Sequence, residues 1–213
     1  MENILEMSKF ILEGSKNTLL LYAITMIFSI PIGVVVALGK LSRFKILQGL
    51  IGLYTWLLRG TPLMLQLFFA YYGLGVWGLK LSAFQAASLT FILNYGAYFT
   101  EIFRGGIQSI DQGQYEASYC LGMSYSQTMK YIVIPQAIKR VLPPLSNEAI
   151  TLVKDTALVA AIAMADVTRN AKQIVAREFT ITPFILAALF YLLFTTLVVM
   201  IFRKLEDRYA FYQ

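Results

Sequence analysis

The chain has 213 residues, 58% of them hydrophobic and only 14% charged, with 18 Lys and Arg against 12 Asp and Glu for a net charge of +6. A soluble domain carries roughly 25% charged residues, so a mean hydropathy of +0.64 points to the bilayer as solvent. The lone Cys120 excludes an internal disulfide, the lack of His speaks against a zinc or haem centre, and the basic excess has no compact Lys/Arg run of the kind that grips nucleic acid.

The first uncharged run is 17–39, between Lys16 and Lys40, and Pro31 and Gly33 inside it predict a kink. Glu2, Glu6 and Glu13 stand where a cleaved signal carries positive charge, and the run is too long for a signal core, so this helix is expected to stay in the membrane. Positions 46–58 are apolar but run into Arg59-Gly60-Thr61-Pro62. They read as an interfacial or partly embedded helix, with Pro62 early in a second span over 60–79 that Lys80 closes. The third span, 81–100, ends at Glu101. The fourth is broken, because Pro143-Pro144, Glu148 and Lys154-Asp155 crowd together. The fifth, 179–202, is clean and closes on Arg203-Lys204. Each run is close to the roughly 20 residues that a crossing helix needs. The pattern predicts an all-α integral membrane protein of about five transmembrane helices: an extracytoplasmic segment 1–16, a spanning domain 17–203, and a cytoplasmic tail 204–213.

An odd number of spans puts the termini on opposite sides. Three basic clusters (Lys40, Arg43 and Lys45; Lys130, Lys139 and Arg140; Arg203, Lys204 and Arg208) outweigh Arg169, Lys172 and Arg177 on the other side. The positive-inside rule then predicts an outer N-terminus and a cytoplasmic C-terminus. Five spans do not divide into equal halves and no internal repeat is visible, so a path on a symmetry axis needs a second subunit.

Charges inside an apolar span cost about 2.5–3.5 kcal/mol on insertion scales and tend to mark a pathway. Asn94, Tyr98 and Glu101 form a polar stripe on one helix, and Arg104 follows Glu101 on the same face. Lys154, Asp155 and Thr156 interrupt the fourth span. The bland alternatives are an interfacial ion pair for Glu101 and Arg104 and a helix-end kink at Asp155. The sharper one is a cavity lined by Asn94, Tyr98, Glu101, Arg104, Asp155 and Thr156. There Asp155 or Glu101 meets a substrate ammonium, and backbone N–H groups of a broken helix meet a carboxylate. Arg59 reads better as a residue snorkelling to a headgroup, and the many Phe and Tyr as lipid-facing and interfacial.

Between the third and fourth spans lies Glu116-Ala117-Ser118, then three residues, Gly122, nine residues, and Ile132-Val133-Ile134-Pro135. This resembles the Glu-Ala-Ala loop of ATP-binding-cassette importer permeases, with Ser118 and Ile134 as conservative departures; the plain alternative is a connector capped by Gly122. Arg59-Gly60-Thr61-Pro62-Leu63, the block running from Asn94 to Ile107, and Lys154-Asp155-Thr156-Ala157-Leu158 are similar to blocks of the polar-amino-acid uptake branch. There Ala157 stands where Ser is common and Gly96 where Ala is. The resemblance, from about Leu20 to Arg203, implies a type I importer permease in a bacterial or archaeal cytoplasmic membrane. It also implies a cytoplasmic coupling helix within about 111–135, with Glu116, Ala117, Ser118 and Gly122 against an ATPase. The implied partners are two ATPase subunits, a second permease subunit, identical or paralogous, and an extracytoplasmic substrate-binding protein; ATP and Mg belong to the ATPase.

No Walker A pattern exists, since Gly39-Lys40 is followed by Leu41, so any ATP-driven motor is another polypeptide. A small dimeric proton-coupled transporter using Glu101 or Asp155 is the alternative, and a membrane enzyme lacks a nucleophile and base. Two acids facing one cavity favour a basic amino acid over glutamine.

Overall fold

The computed structural model describes residues 2–209, and every regular element among them is helical. The chain runs α1 (Glu2–Lys40), α2 (Lys45–Gly60), α3 (Leu63–Phe68), a π turn (Phe69–Gly73), α4 (Leu74–Val76) and α5 (Ala83–Gln108). Then follow α6 (Gln112–Cys120), α7 (Tyr125–Thr128), a second π turn (Met129–Val133), α8 (Ile134–Asp155), a 3-10 segment (Thr156–Ile162), α9 (Val167–Glu178) and α10 (Thr182–Tyr209). Met1 and positions 210–213 of the expected tail lie outside the described residues.

Helix α1 continues through Pro31 and is about 58 Å long at 1.5 Å per residue, well beyond a ~30 Å hydrocarbon core. The boundary expected between 16 and 17 therefore falls inside a helix. Its N-terminal overhang has its own apolar seat, where Met7 and Ile11 pack on Val167, Ala171 and Ile174 of α9 and on Ala187 of α10. Asn170 Nδ2 donates to the Phe10 carbonyl at 2.7 Å and Asn17 Nδ2 to that of Ala165 at 2.8 Å. Position 14 accepts only glycine, because a Cβ there would stand 2.5 Å from the Asp166 carbonyl group.

The second span differs from expectation. Helix α2, expected as an interfacial or partly embedded helix, packs along α5: Tyr54 Oη donates to the Leu93 carbonyl at 2.7 Å, and Tyr54 and Ile32 close over Gly96. Helix α3 and the π turn after it continue along α5. The helical stretch thus runs over 45–76 with a break at Thr61 and Pro62, where the sequence pattern gives two separate runs on either side of Arg59.

Helix α5 is the centre of the bundle. A capping box of Ser82 and Gln85 starts it, and Phe91, Tyr95 and Phe99 on one face are at most 2% exposed against Leu21, Ala149, Leu152, Val159 and Ile162. It extends two turns beyond Glu101, where the apolar run stops. Helix α8 passes through Pro143 and Pro144 without ending; the break in the fourth span comes after Asp155. Among the described residues only α1 and α10 are long and continuously apolar enough to cross a membrane on composition alone. The inner spans carry the polar residues.

Candidate functional site

Both helix breaks open onto one space. Pro62 disfavours helical geometry at the residue before it, and Thr61 is extended at φ −116°, ψ 147°. That leaves the last carbonyls of α2 without helical donors. Asn94 Nδ2 donates to the Leu58 carbonyl at 2.8 Å, and Gln66 Nε2 donates to the same oxygen at 2.9 Å and to Thr61 Oγ1 at 2.7 Å. Gln66 Oε1 in turn accepts from Asn94 at 3.0 Å. The polar Asn94 in an apolar span is therefore the cap of a neighbouring broken helix. At the other break α8 tightens into a 3-10 segment that ends on Ala163 at φ 58°. Its seven residues exceed the usual three or four.

Between the breaks lies a cavity of about 500 Å³, within the 300–1,000 Å³ common for small-molecule sites. It is lined by residues 59–63, by Asn94, Tyr95 and Tyr98 of α5, and by Glu148, Thr151 and Asp155 of α8. Tyr95 Oη donates to Asp155 Oδ2 at 2.7 Å. The Arg59 guanidinium stands 5.3 Å from the centre of the Tyr98 ring, a cation–π arrangement. One guanidinium and two carboxylates thus converge, with the free oxygen of Asn94 beside them. A cleft of about 460 Å³ on the far side of α3 is walled mainly by Leu side chains, with Phe69 and Ala70, and carries no charge.

Of the residues expected on the cavity, Asn94, Tyr98 and Asp155 are there. Glu101, Arg104 and Thr156 do not line it. Glu101 is one turn nearer the C-terminal end of α5, where Lys40 Nζ and Arg104 Nη2 both bind it, the latter at 2.8 Å. Lys40 also donates to Thr55 Oγ1 at 3.0 Å, and Arg104 to Gln108. Thr156 is fully buried and donates to the Val153 carbonyl at 2.6 Å; adjacent helical residues point about 100° apart, so Asp155 entering the cavity turns Thr156 away. Arg59, Tyr95, Glu148 and Thr151 are the lining groups that sequence reasoning missed. Glu148 was within reach of it, being seven residues before Asp155 and so on the same helical face. Arg59 was not, since its place depends on joining α2 to α3 in one span.

The loop between α5 and α8 is helical where expected. Asp111 Oδ1 accepts from the Gly113 N–H at 2.7 Å to start α6. Glu116 and Ala117 are exposed, as are Tyr119 and Leu121, at 83% and 80%. Ser118 instead turns inward and donates to the Gln114 carbonyl at 2.7 Å. Gly122 adopts φ +73°, the left-handed geometry that ends helices, and nothing stands within 4 Å of a Cβ there. Its smallness serves the cap.

The sequence pattern of the family described as binding-protein-dependent transport system inner membrane component matches residues 29–211. The chain is 39% identical over 201 residues to the arginine transport system permease protein of Bacillus subtilis, covering 93% of this chain and 92% of that one. It is 34% identical over 201 residues to the glutamine transport system permease protein of Escherichia coli, with the same coverage. A crystal structure of an amino acid ABC transporter with histidines superposes with a TM-score of 0.90, at 35% identity over 97% of both chains. The chain therefore belongs to the binding-protein-dependent transport inner-membrane components, among the amino-acid ABC transporter permeases. The proton-coupled alternative finds no support in these likenesses.

Proposed function

We propose that this permease conducts an amino acid with a cationic side chain, and that the cavity between the two helix breaks is where it is held. The observation that carries this is the charge pattern: Arg59, Glu148 and Asp155 line one space. A basic amino acid brings one carboxylate and two cations. Arg59 meets the carboxylate, with bidentate geometry available, and Asp155 and Glu148 meet the two cations. A neutral amino acid such as glutamine leaves one acid unmatched beside the substrate. Relatives named for arginine and for glutamine are both similar to this chain, so likeness does not decide between them. The test is ATP-driven uptake of arginine and of glutamine by Asp155→Asn and Glu148→Gln. Loss of arginine uptake in both supports the assignment; normal arginine uptake by either refutes it.

The working assembly in this proposal is two permease subunits, two ATPase subunits and an extracytoplasmic binding protein. A second permease is favoured by α8, whose outward face shows Arg140, Pro143, Pro144, Asn147 and Lys154, all exposed, at helical spacing. Such a stripe is unfavourable against lipid and suits a watered seam between copies. In this reading the exposed face of α6 is offered to the ATPase, with the N-terminus outside and the C-terminus in the cytoplasm. Cysteines introduced at positions 80 and 169 of a Cys120→Ala background should react from outside. Those at 43 and 204 should react only after permeabilisation; the reverse pattern overturns the orientation.

A further inference from the structure

The coupling loop does not hang free below the membrane. Ile110, Met129, Val133 and Ala137 form a small buried cluster, with Ile107 and Tyr115 packed on it, so the loop folds back onto the start of α8. Two polar contacts reinforce it. Arg140 Nη1 donates to the Ser109 carbonyl at the end of α5, and Gln136 Nε2 donates to Gln114 Oε1 in α6 at 3.1 Å. The carbonyl that Arg140 takes is one a helix end leaves without an internal donor, at the negative pole of the helix. At Gly106 the two helices touch: a Cβ there would stand 2.3 Å from Val141 Cγ2. Just beyond these contacts come Pro143 and Pro144, which remove two helical hydrogen bonds and weaken α8 at that point. One, two and three turns further along the same helix stand Glu148, Thr151 and Asp155, on the cavity.

We infer that Arg140 is a positioning residue for energy coupling, locking the coupling loop to the lower half of α8 so that a push on α6 reaches the cavity through the Pro143-Pro144 joint. This rests on the proposed importer function. Without the Arg140 contact the end of α5 and the start of α8 part more easily, and motion of α6 is spent locally. The Gly106 contact transmits the same motion by close packing.

The experiment uses the purified complex with its ATPase and binding protein in proteoliposomes, and reads amino acid taken up per ATP hydrolysed. Arg140→Ala should lower that ratio about tenfold, the range in which residues linking two sites act, and Arg140→Lys, which still donates to a carbonyl, should recover most of it. Gly106→Ala should lower the ratio too, and adding Val141→Ala should restore it by vacating the space the new methyl needs. An unchanged ratio in Arg140→Ala, or failure of Arg140→Lys to recover it, overturns the inference while leaving the transport function standing. Absence of ATP-driven uptake by the unaltered complex overturns the importer proposal itself.

Discussion

Glu101 and Asp155 are both carboxylates beside α5 in apolar surroundings, and their partners are opposite in kind. Glu101 is bound by Lys40 from α1 and by Arg104 from its own helix, and its side chain is 12% exposed. Asp155 accepts one hydrogen bond from a neutral tyrosine and otherwise faces a cavity shared with Glu148 and Arg59. A carboxylate already holding two cations has its charge compensated within the protein. One that holds a single hydroxyl keeps lone pairs and charge for an incoming ammonium. The difference separates an acid neutralised inside the protein from one open to a cavity, although both look alike as acids in apolar runs.

The largest effect that would sharpen this contrast is at Asp155. Asp155→Asn keeps shape and the Tyr95 contact while removing the charge, and arginine uptake should fall by about 30-fold or more, the usual result of deleting one side of a desolvated charge pair. Complex assembly and melting temperature should hardly move. A variant that transports normally would put Asp155 in the same structural class as Glu101.

Glu101→Gln should do the reverse. It leaves Lys40 and Arg104 facing one another across a partly buried site, and stability in detergent should drop by about 1–3 kcal/mol, less than a fully buried pair because the cations are partly exposed. Uptake per folded molecule should be close to unaltered. Selective loss of arginine transport without loss of stability would break the comparison by returning Glu101 to the substrate path.

A third acid sharpens it at the smallest scale. Asp166 lies outside the spanning helices and is fully buried; its carboxylate caps α9, accepting from the backbone N–H groups of Arg169 and Thr168 at 2.9 Å each. Burial raises its carboxyl above the usual value, against the pull of those two N–H groups. An acid raised in the folded state binds protons more readily there than in the unfolded chain. Its stabilising effect is therefore complete below the ordinary carboxylate value and fades as pH rises through the folded one. Asp166→Asn should keep the cap and flatten that slope, whereas Asp166→Ala should cost about 1–2 kcal/mol; melting curves across the acid range check both. An unchanged slope in Asp166→Asn would show that another group sets it.

How much of this was legible in advance depended on whether the signal was local. The clean fifth span, the helix at Glu116 and Ala117, and the interruption at Asp155 follow from residue order alone, because hydropathy, helix spacing and caps act within a few turns. The joining of α2 to α3 around one break was not legible, because Arg59 divides the apolar sequence there and the packing of both helices on α5 is a long-range matter. The role of Asn94 was not legible either, since the carbonyls it caps belong to a helix 36 positions away in sequence.

By itself the sequence determined the solvent, the helical class, the basic clusters and a set of acids too polar for lipid, all of which are sums over neighbours along the chain. Which acids are neutralised and which remain available was decided by the tertiary structure alone. Lys40 and Glu101 are 61 positions apart, and Tyr95 and Asp155 are 60. A carboxylate's function here depends on which cation or hydroxyl arrives from another helix, and only packing fixes that meeting.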